Sequence, residues 1–526
     1  MKPRWPRGPE FTAGVRAGIA LAAILPALAA GESDTPGSLY LQHCAACHGA
    51  DRLGGSGPAL LPENLGRLRP ASAEQAIRDG LPATNMPGFG ATLTPDQVRQ
   101  LAEYVFTPLP GIPAWGLEEI ASSRILHNDP ASLGDRPVHG ADPLNLFVVV
   151  EAGSHHVTIL DGDRFEPIHR FKSRYALHGG AKFSPDGRFV YLASRDGWIS
   201  KFDLYSLKPV VEIRAGINTR NLAVSGDGRY VAVGNFLPHN LVILDAVDLA
   251  PVRLIPAGDG AGQGSRVSAV YDAPPRMSFI AALKDMKEVW EISYADNPPY
   301  HGRVHDYRDE GAPALAEKFP VRRIQVDDYL DDFFFDQKYE NLIGAAREAG
   351  NGQVVNLLVG RKIAEVALSG LPHLGSGITW VLADGTPVLA TPNLGEGSVT
   401  IIDMRDWRTL KRIETPGPGF FIRSHEQTPY AWVDSSAGVQ RDAIQVIDKQ
   451  ALTIVRTLRP EPGKTAAHVE FTRDGHFALV SIMEDDGAIV VYDARSLEEV
   501  KRLPMDRPSG KYNVHNKISG SSGTSH

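Results

Sequence analysis

From Leu146 onward the chain alternates short apolar runs with polar turns at a regular interval. Phe189-Val190-Tyr191-Leu192 is followed by Trp198-Ile199-Ser200-Lys201-Phe202-Asp203. Tyr230-Val231-Ala232-Val233 precedes Leu241-Val242-Ile243-Leu244-Asp245, and Phe477-Ala478-Leu479-Val480 precedes Ala488-Ile489-Val490-Val491-Tyr492-Asp493. Runs this short, bounded by Ser184-Pro185-Asp186-Gly187, Gly226-Asp227-Gly228 and Arg473-Asp474-Gly475, read as antiparallel strands. Related copies begin near Leu146, Phe279, Leu342, Val388 and Tyr430, which makes eight. Their spacing of roughly 40–60 residues is that of propeller blades. One four-stranded blade cannot cover its own faces, whereas a ring of blades can. The pattern therefore predicts an all-β, eight-bladed β-propeller over residues 141–526. Two β-sandwiches in tandem are the competing arrangement, and the single period argues against them. Residues 294–326 break the interval and are expected to form an excursion between blades.

The first part of the chain follows a helical period instead. Residues 38–43 and 72–80 read as short helices. Thr94-Pro95-Asp96-Gln97 opens a third, with Thr94 as N-cap, Pro95 first and Gln97 closing a capping box. Leu101, Tyr104 and Val105 supply its apolar face. Cys44-Ala45-Ala46-Cys47-His48 lies among these helices and is a C-x-x-C-H haem-attachment motif. Each thiol can add to one haem vinyl group, and His48 then falls under the iron as proximal ligand. A redox disulfide would need a βαβ surround, and a zinc site would need further cysteines; the chain has 2. Met86, held extended before Pro87, is the expected sixth ligand, because Met/His ligation suits electron transfer. His43 is the alternative. The arrangement over residues 37–108 resembles a small all-α class I cytochrome c. The expected division is a signal peptide at 1–30, a cytochrome c domain at 31–110, a linker at 111–140 and the propeller at 141–526.

Lys2, Arg4, Arg7 and Arg16 precede an apolar run that ends in Ala27-Leu28-Ala29-Ala30. This is the pattern of a cleaved secretory signal, and it places the mature chain in the periplasm. No later apolar run reaches membrane-spanning length, so no integral membrane segment is expected after processing. The net charge of −8 becomes about −11 without that segment. A mildly acidic chain without Lys/Arg blocks is a poor nucleic-acid binder.

A plain propeller needs apolar strands and turn glycines, not cations in the turns facing its central funnel. Yet His178, Arg220, His373, Arg423, His425, His468, Lys511 and Tyr512 fall in such places. Histidines can ligate iron, and arginines and lysines can pair with carboxylates. Together they point to a second, non-covalent tetrapyrrole rich in carboxylates.

An eight-bladed propeller behind an exported cytochrome c domain resembles the cytochrome cd1 family, which binds haem d1 in the funnel. The stretches His178-Gly179-Gly180-Ala181-Lys182-Phe183-Ser184, Pro372-His373-Leu374-Gly375-Ser376-Gly377 and Gly510-Lys511-Tyr512-Asn513-Val514 are similar to that family's d1-binding segments. The resemblance implies His178 as proximal iron ligand, His373 as the distal-side histidine and second candidate ligand, and Arg195 and Arg220 as carboxylate partners. Two departures separate the chain from the nitrite reductases of the family. Asp331-Asp332-Phe333-Phe334-Phe335-Asp336 stands where those enzymes carry a second distal histidine, and Ser376 stands where they carry an arginine. These residues, with those at 414–421 and 462–470, resemble the d1-biosynthesis branch, the NirF and NirN types. Of these, NirN carries a cytochrome c domain.

That resemblance implies oxidation of a dihydro-haem d1 propionate to an acrylate. Electrons would pass to the c haem and then to an external acceptor. His373 is the first candidate for proton acceptor, followed by Tyr512, His425 and His468. Arg423 and Lys511 join the cofactor-binding set. A cytochrome cd1 nitrite reductase and a NirF-like protein are the implied partners. Nitrite reduction and a non-enzymatic d1 carrier are the alternative readings.

Overall fold

The computed structural model describes residues 35–524 apart from 56, 66–67, 69, 81–85, 112–113, 299–317 and 347–349. The expected signal peptide lies outside the described residues.

The apolar runs between residues 146 and 513 pair into eight antiparallel sheets, which form the blades of a propeller. Blade one is Leu146–Glu151, His156–Asp161 and Glu166–Lys172, completed on its inner side by Pro508–Asn513 from the other end of the chain. That pairing closes the ring and leaves it without a free edge between first and last blades. The inner strands of blades two to eight are Lys182–Phe183, Asn218–Val224, Val267–Ala273, Leu330–Phe335, Ile378–Val381, Ile422–Ser424 and Ala466–Phe471. Inner strands touch their neighbours from blade two to blade five and from blade six round to blade one. All eight predicted copies begin in the second strand of a blade, as Phe189–Ala193, Asn341–Ala346 and Tyr430–Asp434 illustrate. Second and third strands lie between neighbouring blades with both faces covered, so they read as continuous apolar runs. Leu146–Glu151, Ser278–Leu283 and Ser398–Asp403 are buried throughout. Outer strands such as Glu166–Lys172 and Arg361–Ala367 reach solvent and carry the charges.

Residues 294–326 are not an excursion between blades. Val321–Gln325 pairs with Glu288–Ser293 as the outer strand of blade four, so the insertion falls inside that blade. Arg322 and Arg323 hid the strand by interrupting the apolar pattern. They point at Glu291 and Glu288 on the neighbouring strand, 3.2 and 2.8 Å away.

In the small domain the capping box forms as expected: Gln97 N donates to Thr94 Oγ1 at 3.2 Å, and Thr94 N to Gln97 Oε1 at 2.9 Å. The helix expected from residue 72 is Pro70–Asp79 and starts two residues earlier. It packs with Pro36–His43 and Pro95–Val105 around Leu39, Tyr40, Ile77 and Leu101.

The segment expected to be a linker is structured. Leu117–Ser122 is a helix whose Ile120 is buried in the blade two–three core, and Ile125–Leu126 adds a fifth strand to blade two. The small domain docks directly on the propeller. Ala59 and Leu61 pack with Ile217 and Leu237 in one buried cluster. Asn64 Nδ2 donates to Ile217 O at 3.2 Å, Asn218 Nδ2 donates to Glu63 O at 3.0 Å, and Arg214 donates to Leu53 O. Among the described residues no helix is long and apolar enough to cross a membrane.

Candidate functional site

Cys44 caps the one-turn helix Ala45–His48, and Cys44 and Cys47 are both free thiols, the first buried and the second exposed. His48 is buried, and its Nδ1 lies 2.8 Å from Pro58 O. A carbonyl only accepts, so Nδ1 carries the proton and Nε2 presents its lone pair. This is how ligating histidines are oriented. Burial also lowers the His48 pKa and keeps the ring neutral. Two thiols beside a tethered imidazole form a donor set that fits a covalent haem. Met86 packs half-buried against the same core. His43 stands beside Phe89, ring centroids 5.8 Å apart.

The funnel repeats this device twice. His178 and His373 occupy equivalent positions in blades two and six, which are four apart in a ring of eight and so face each other across the axis. Each backbone N donates at 2.9 Å to the last residue of its blade's second strand, Ala193 O for His178 and Pro392 O for His373. The preceding residues bridge in register, Leu177 to Ser194 and Pro372 to Asn393. Each Nδ1 bonds to a carbonyl of the next blade: Arg220 O at 2.7 Å and Phe420 O at 2.5 Å. In both rings Nε2 therefore keeps the lone pair, and His178 Nε2 lies 3.2 Å from Arg220 Nη1. Burial lowers the His373 pKa, opposed by Asp332 and reinforced by Arg220 and Arg423.

Two arcs join the histidine loops. One is aromatic. Phe421 packs at 5.9 Å from His373 and 4.6 Å from His468, and His468 lies 5.2 Å from Tyr512. Tyr512 in turn lies against Gly180. Flat rings in series suit a planar macrocycle. The other arc is charged. Arg220 donates to Ser268 O at 2.8 Å, and its Nη1 lies 3.2 Å from both His178 ring nitrogens. It also approaches Asp332 at 3.5 Å. Tyr271 donates to Asp332 Oδ1 at 2.8 Å. The Asp332 carboxylate fills the space beside Gly375 in the His373 loop. Asp332 and His468 both sit on inner strands with a register shift, and such bulges re-aim side chains.

Gly179 has φ +83°, and a Cβ there would stand 2.6 Å from Asn221 Cβ. Gly179→Ala should cost roughly 1–3 kcal/mol and tilt His178. A thermal unfolding scan with pigment titration measures both, and unchanged values would show a loop free to shift.

The remaining expected residues divide. His468 is 1% exposed, its backbone is left-handed at φ 51°, and Nε2 has no hydrogen-bond partner among the described residues. Lys511 N donates to its Nδ1 at 3.4 Å, so the proton sits on Nε2. Lys511 Nζ holds His468 O, with Ser481 Oγ at 2.9 Å, and so positions that histidine. Burial lowers the Lys511 pKa to about 7, partly offset by Glu470. Arg423, 3% exposed, bonds Ser376 O and Ile422 O, and its Nε has no partner among the described residues. Tyr512 is a neutral phenol, its pKa raised by burial to about 12. Arg195 ties the His178 loop to blade three through Ala176 O and Thr219 N. His425 is not brought into the group. Its Nε2 donates to Arg473 O at 3.1 Å and its Nδ1 accepts from Gln427 N at 3.1 Å, so both nitrogens serve the fold.

Sequence reasoning missed Lys182, Tyr271 and Asp332 as site residues. Burial lowers the Lys182 pKa to about 8, opposed by Asp332. Lys182 lies within the quoted stretch 178–184, and Asp332 within the segment that replaces the reductases' second distal histidine, so both had a signal, but one that does not single out the residue.

Residues 141–517 match the family described as Cytochrome D1 heme domain, and residues 31–105 match cytochrome c oxidase, cbb3-type, subunit III. The chain is 58% identical over 511 residues to a dihydro-heme d1 dehydrogenase of Pseudomonas aeruginosa, covering 97% of this chain and 99% of that one. A solved structure of dihydro-heme d1 dehydrogenase NirN in complex with DHE superposes with a TM-score of 0.86 at 58% identity, covering 92% of this chain and 100% of that one. A nitrite reductase of Stutzerimonas stutzeri is 25% identical, over 97% of this chain and 99% of its own. The chain belongs to the cytochrome d1 heme-domain family, with a cytochrome c domain ahead of the propeller.

Proposed function

We propose that this chain oxidises the propionate side chain of dihydro-haem d1 to an acrylate in the periplasm. Its electrons pass to the covalent haem and then to an external one-electron acceptor. The CH₂–CH₂ unit loses two protons and two electrons. The covalent haem supplies one-electron acceptance. Kinship with the Pseudomonas aeruginosa dehydrogenase supports the substrate class.

The observation that carries the reading is the matched pair His178 and His373 on opposite blades, each with Nδ1 fixed to a carbonyl. His178 is the residue to hold the substrate iron. His373 Nε2 is the base that accepts a side-chain proton. The Nε2–H of His468 and the Tyr512 hydroxyl donate to a substrate carboxylate, and Arg220, Arg423 and Lys182 neutralise the others. Nitrite reduction needs protons delivered to a bound oxyanion. Asp332, in the segment that stands where the nitrite reductases carry a second distal histidine, is instead engaged by Tyr271, Phe333 N and Arg220. The haem d1 product is suited to a cytochrome cd1 nitrite reductase as recipient, and a NirF-like protein is a candidate partner upstream.

Anaerobic mixing with dihydro-haem d1 should produce the ferrous c-haem bands together with the acrylate product. A side chain that stays saturated would remove the dehydrogenase reading, and nitric oxide from nitrite would replace it with reduction. Affinity should also depend on pH. Lys511 and Lys182 lose their charge as pH rises through about 7 and about 8. A polycarboxylate prefers them protonated, so binding should be tightest near about pH 6 and weaken above neutrality, at most about tenfold per pH unit per lysine. A flat titration would show that neither ammonium meets the ligand's charge.

A further inference from the structure

The loop that orients His48 is also the loop that docks the small domain, and it ends on the strand that orients His178. Pro58 O accepts from His48 Nδ1 at 2.8 Å. The next residue, Ala59, packs with Leu61 against Ile217. Asn64 N donates to Leu61 O at 2.9 Å, and Asn64 Nδ2 crosses to Ile217 O at 3.2 Å. Asn218 returns the bond to Glu63 O at 3.0 Å. Two peptides beyond Asn218, Arg220 O accepts from His178 Nδ1 at 2.7 Å. Each histidine is thus tied by its protonated nitrogen to one of two short backbone runs, which Asn64 and Asn218 join.

We propose that residues 58–64 and 217–220 form the electron route between the funnel and the covalent haem, with Asn64 and Asn218 as its positioning residues. Electronic coupling falls off more slowly through covalent and hydrogen bonds than through gaps, and this route has no gap wider than a hydrogen bond or a packing contact. One electron leaves the macrocycle held by His178, and the ferric haem held by His48 becomes ferrous. A one-electron acceptor outside the chain, such as ferricyanide in a test, restores it. The asparagine pair also fixes the docking, so transfer needs no domain movement. This inference rests on the proposed electron outlet but not on the side-chain chemistry.

The test uses the full chain with its ferric c haem and the zinc form of the d1 macrocycle in the funnel. Photoexcited zinc macrocycle gives one electron to the ferric haem, and the transient ferrous band gives the rate. Asn64→Leu and Asn218→Leu should each slow it several-fold, with macrocycle affinity and c-haem potential unchanged. Trp115 packs against the same Ala59, Leu61 and Ile217 cluster. Trp115→Phe keeps an aromatic ring there and removes only the bond from Trp115 Nε1 to Arg214 O, 2.9 Å long, which braces the docking without joining the route. It should leave the rate as it is. Unchanged rates in both asparagine variants would overturn the proposal. So would equal slowing in Trp115→Phe, or a wild-type rate that falls with solvent viscosity. The rate stays measurable even if propionate oxidation is never observed, so the two readings fail separately.

Discussion

His178→Ala is expected to abolish tight binding of the funnel tetrapyrrole while the covalent haem keeps its spectrum. The ring is held at two points of the backbone, Ala193 O through its own N–H and Arg220 O through Nδ1. Alanine keeps the first and removes the donor to iron. The loss should be on the order of 100-fold or more in affinity, each tenfold being about 1.4 kcal/mol. The expected signature separates two roles. A ligand histidine can be replaced in part by free imidazole in the buffer, whereas a packing histidine cannot. Pigment titration with and without imidazole reads both, and an affinity equal to the parent's would remove His178 from the metal.

His373→Ala should act on rate rather than on binding. With Nδ1 committed to Phe420 O, Nε2 is the ring atom able to take a proton. Removing a positioned base typically costs about 10²–10⁴ in rate, while the macrocycle keeps His178, the arginines and the aromatic wall. Burial lowers the His373 pKa below its ordinary 6.5. The sign follows directly: the neutral base is present at neutral pH, and the rate should fall only on the acid side of that value. Single-turnover oxidation across pH, compared with pigment affinity, tests the assignment. A variant that oxidises at the parental rate would free His373 of any part in the proton transfer.

Both predictions use residues whose roles came from resemblance to the cytochrome cd1 family, whereas other features were legible directly. Cys44, Cys47 and His48 could be read locally, because the chemistry of covalent attachment demands a fixed spacing. The propeller was legible for a related reason. Strands packed on both faces must be apolar throughout, and Leu146–Glu151 and Ser398–Asp403 show it in their composition. The outer strand of blade four escaped notice because Arg322 and Arg323 are stabilised by Glu291 and Glu288, partners that come from the neighbouring strand. The packed linker escaped notice for the same reason: Ile120 is apolar in a short polar segment, and its burial depends on blades two and three.

The roles of individual histidines were less legible still. His425 and His468 both read as funnel candidates, and the sequence does not rank them. In the fold His425 spends both nitrogens on backbone groups, while His468 keeps Nε2 without a partner among the described residues. Asp332 read as part of a segment that departs from the nitrite reductases, and only its contacts with Tyr271 and Arg220 made it a wall of the site.

The sequence by itself determined what is periodic or local: eight blades, three short helices, one covalent haem site and a surplus of funnel cations. Periodicity and motif spacing are properties of neighbours along the chain, so no folding is needed to see them. The tertiary structure decided which histidines face each other, which lysines are desolvated, and where the small domain rests. Those follow from closing the ring. Closure sets blade two opposite blade six, and it brings the last strand beside the first. It also turns a carbonyl of the next blade toward His178 and toward His373, and no interval in the chain records that contact.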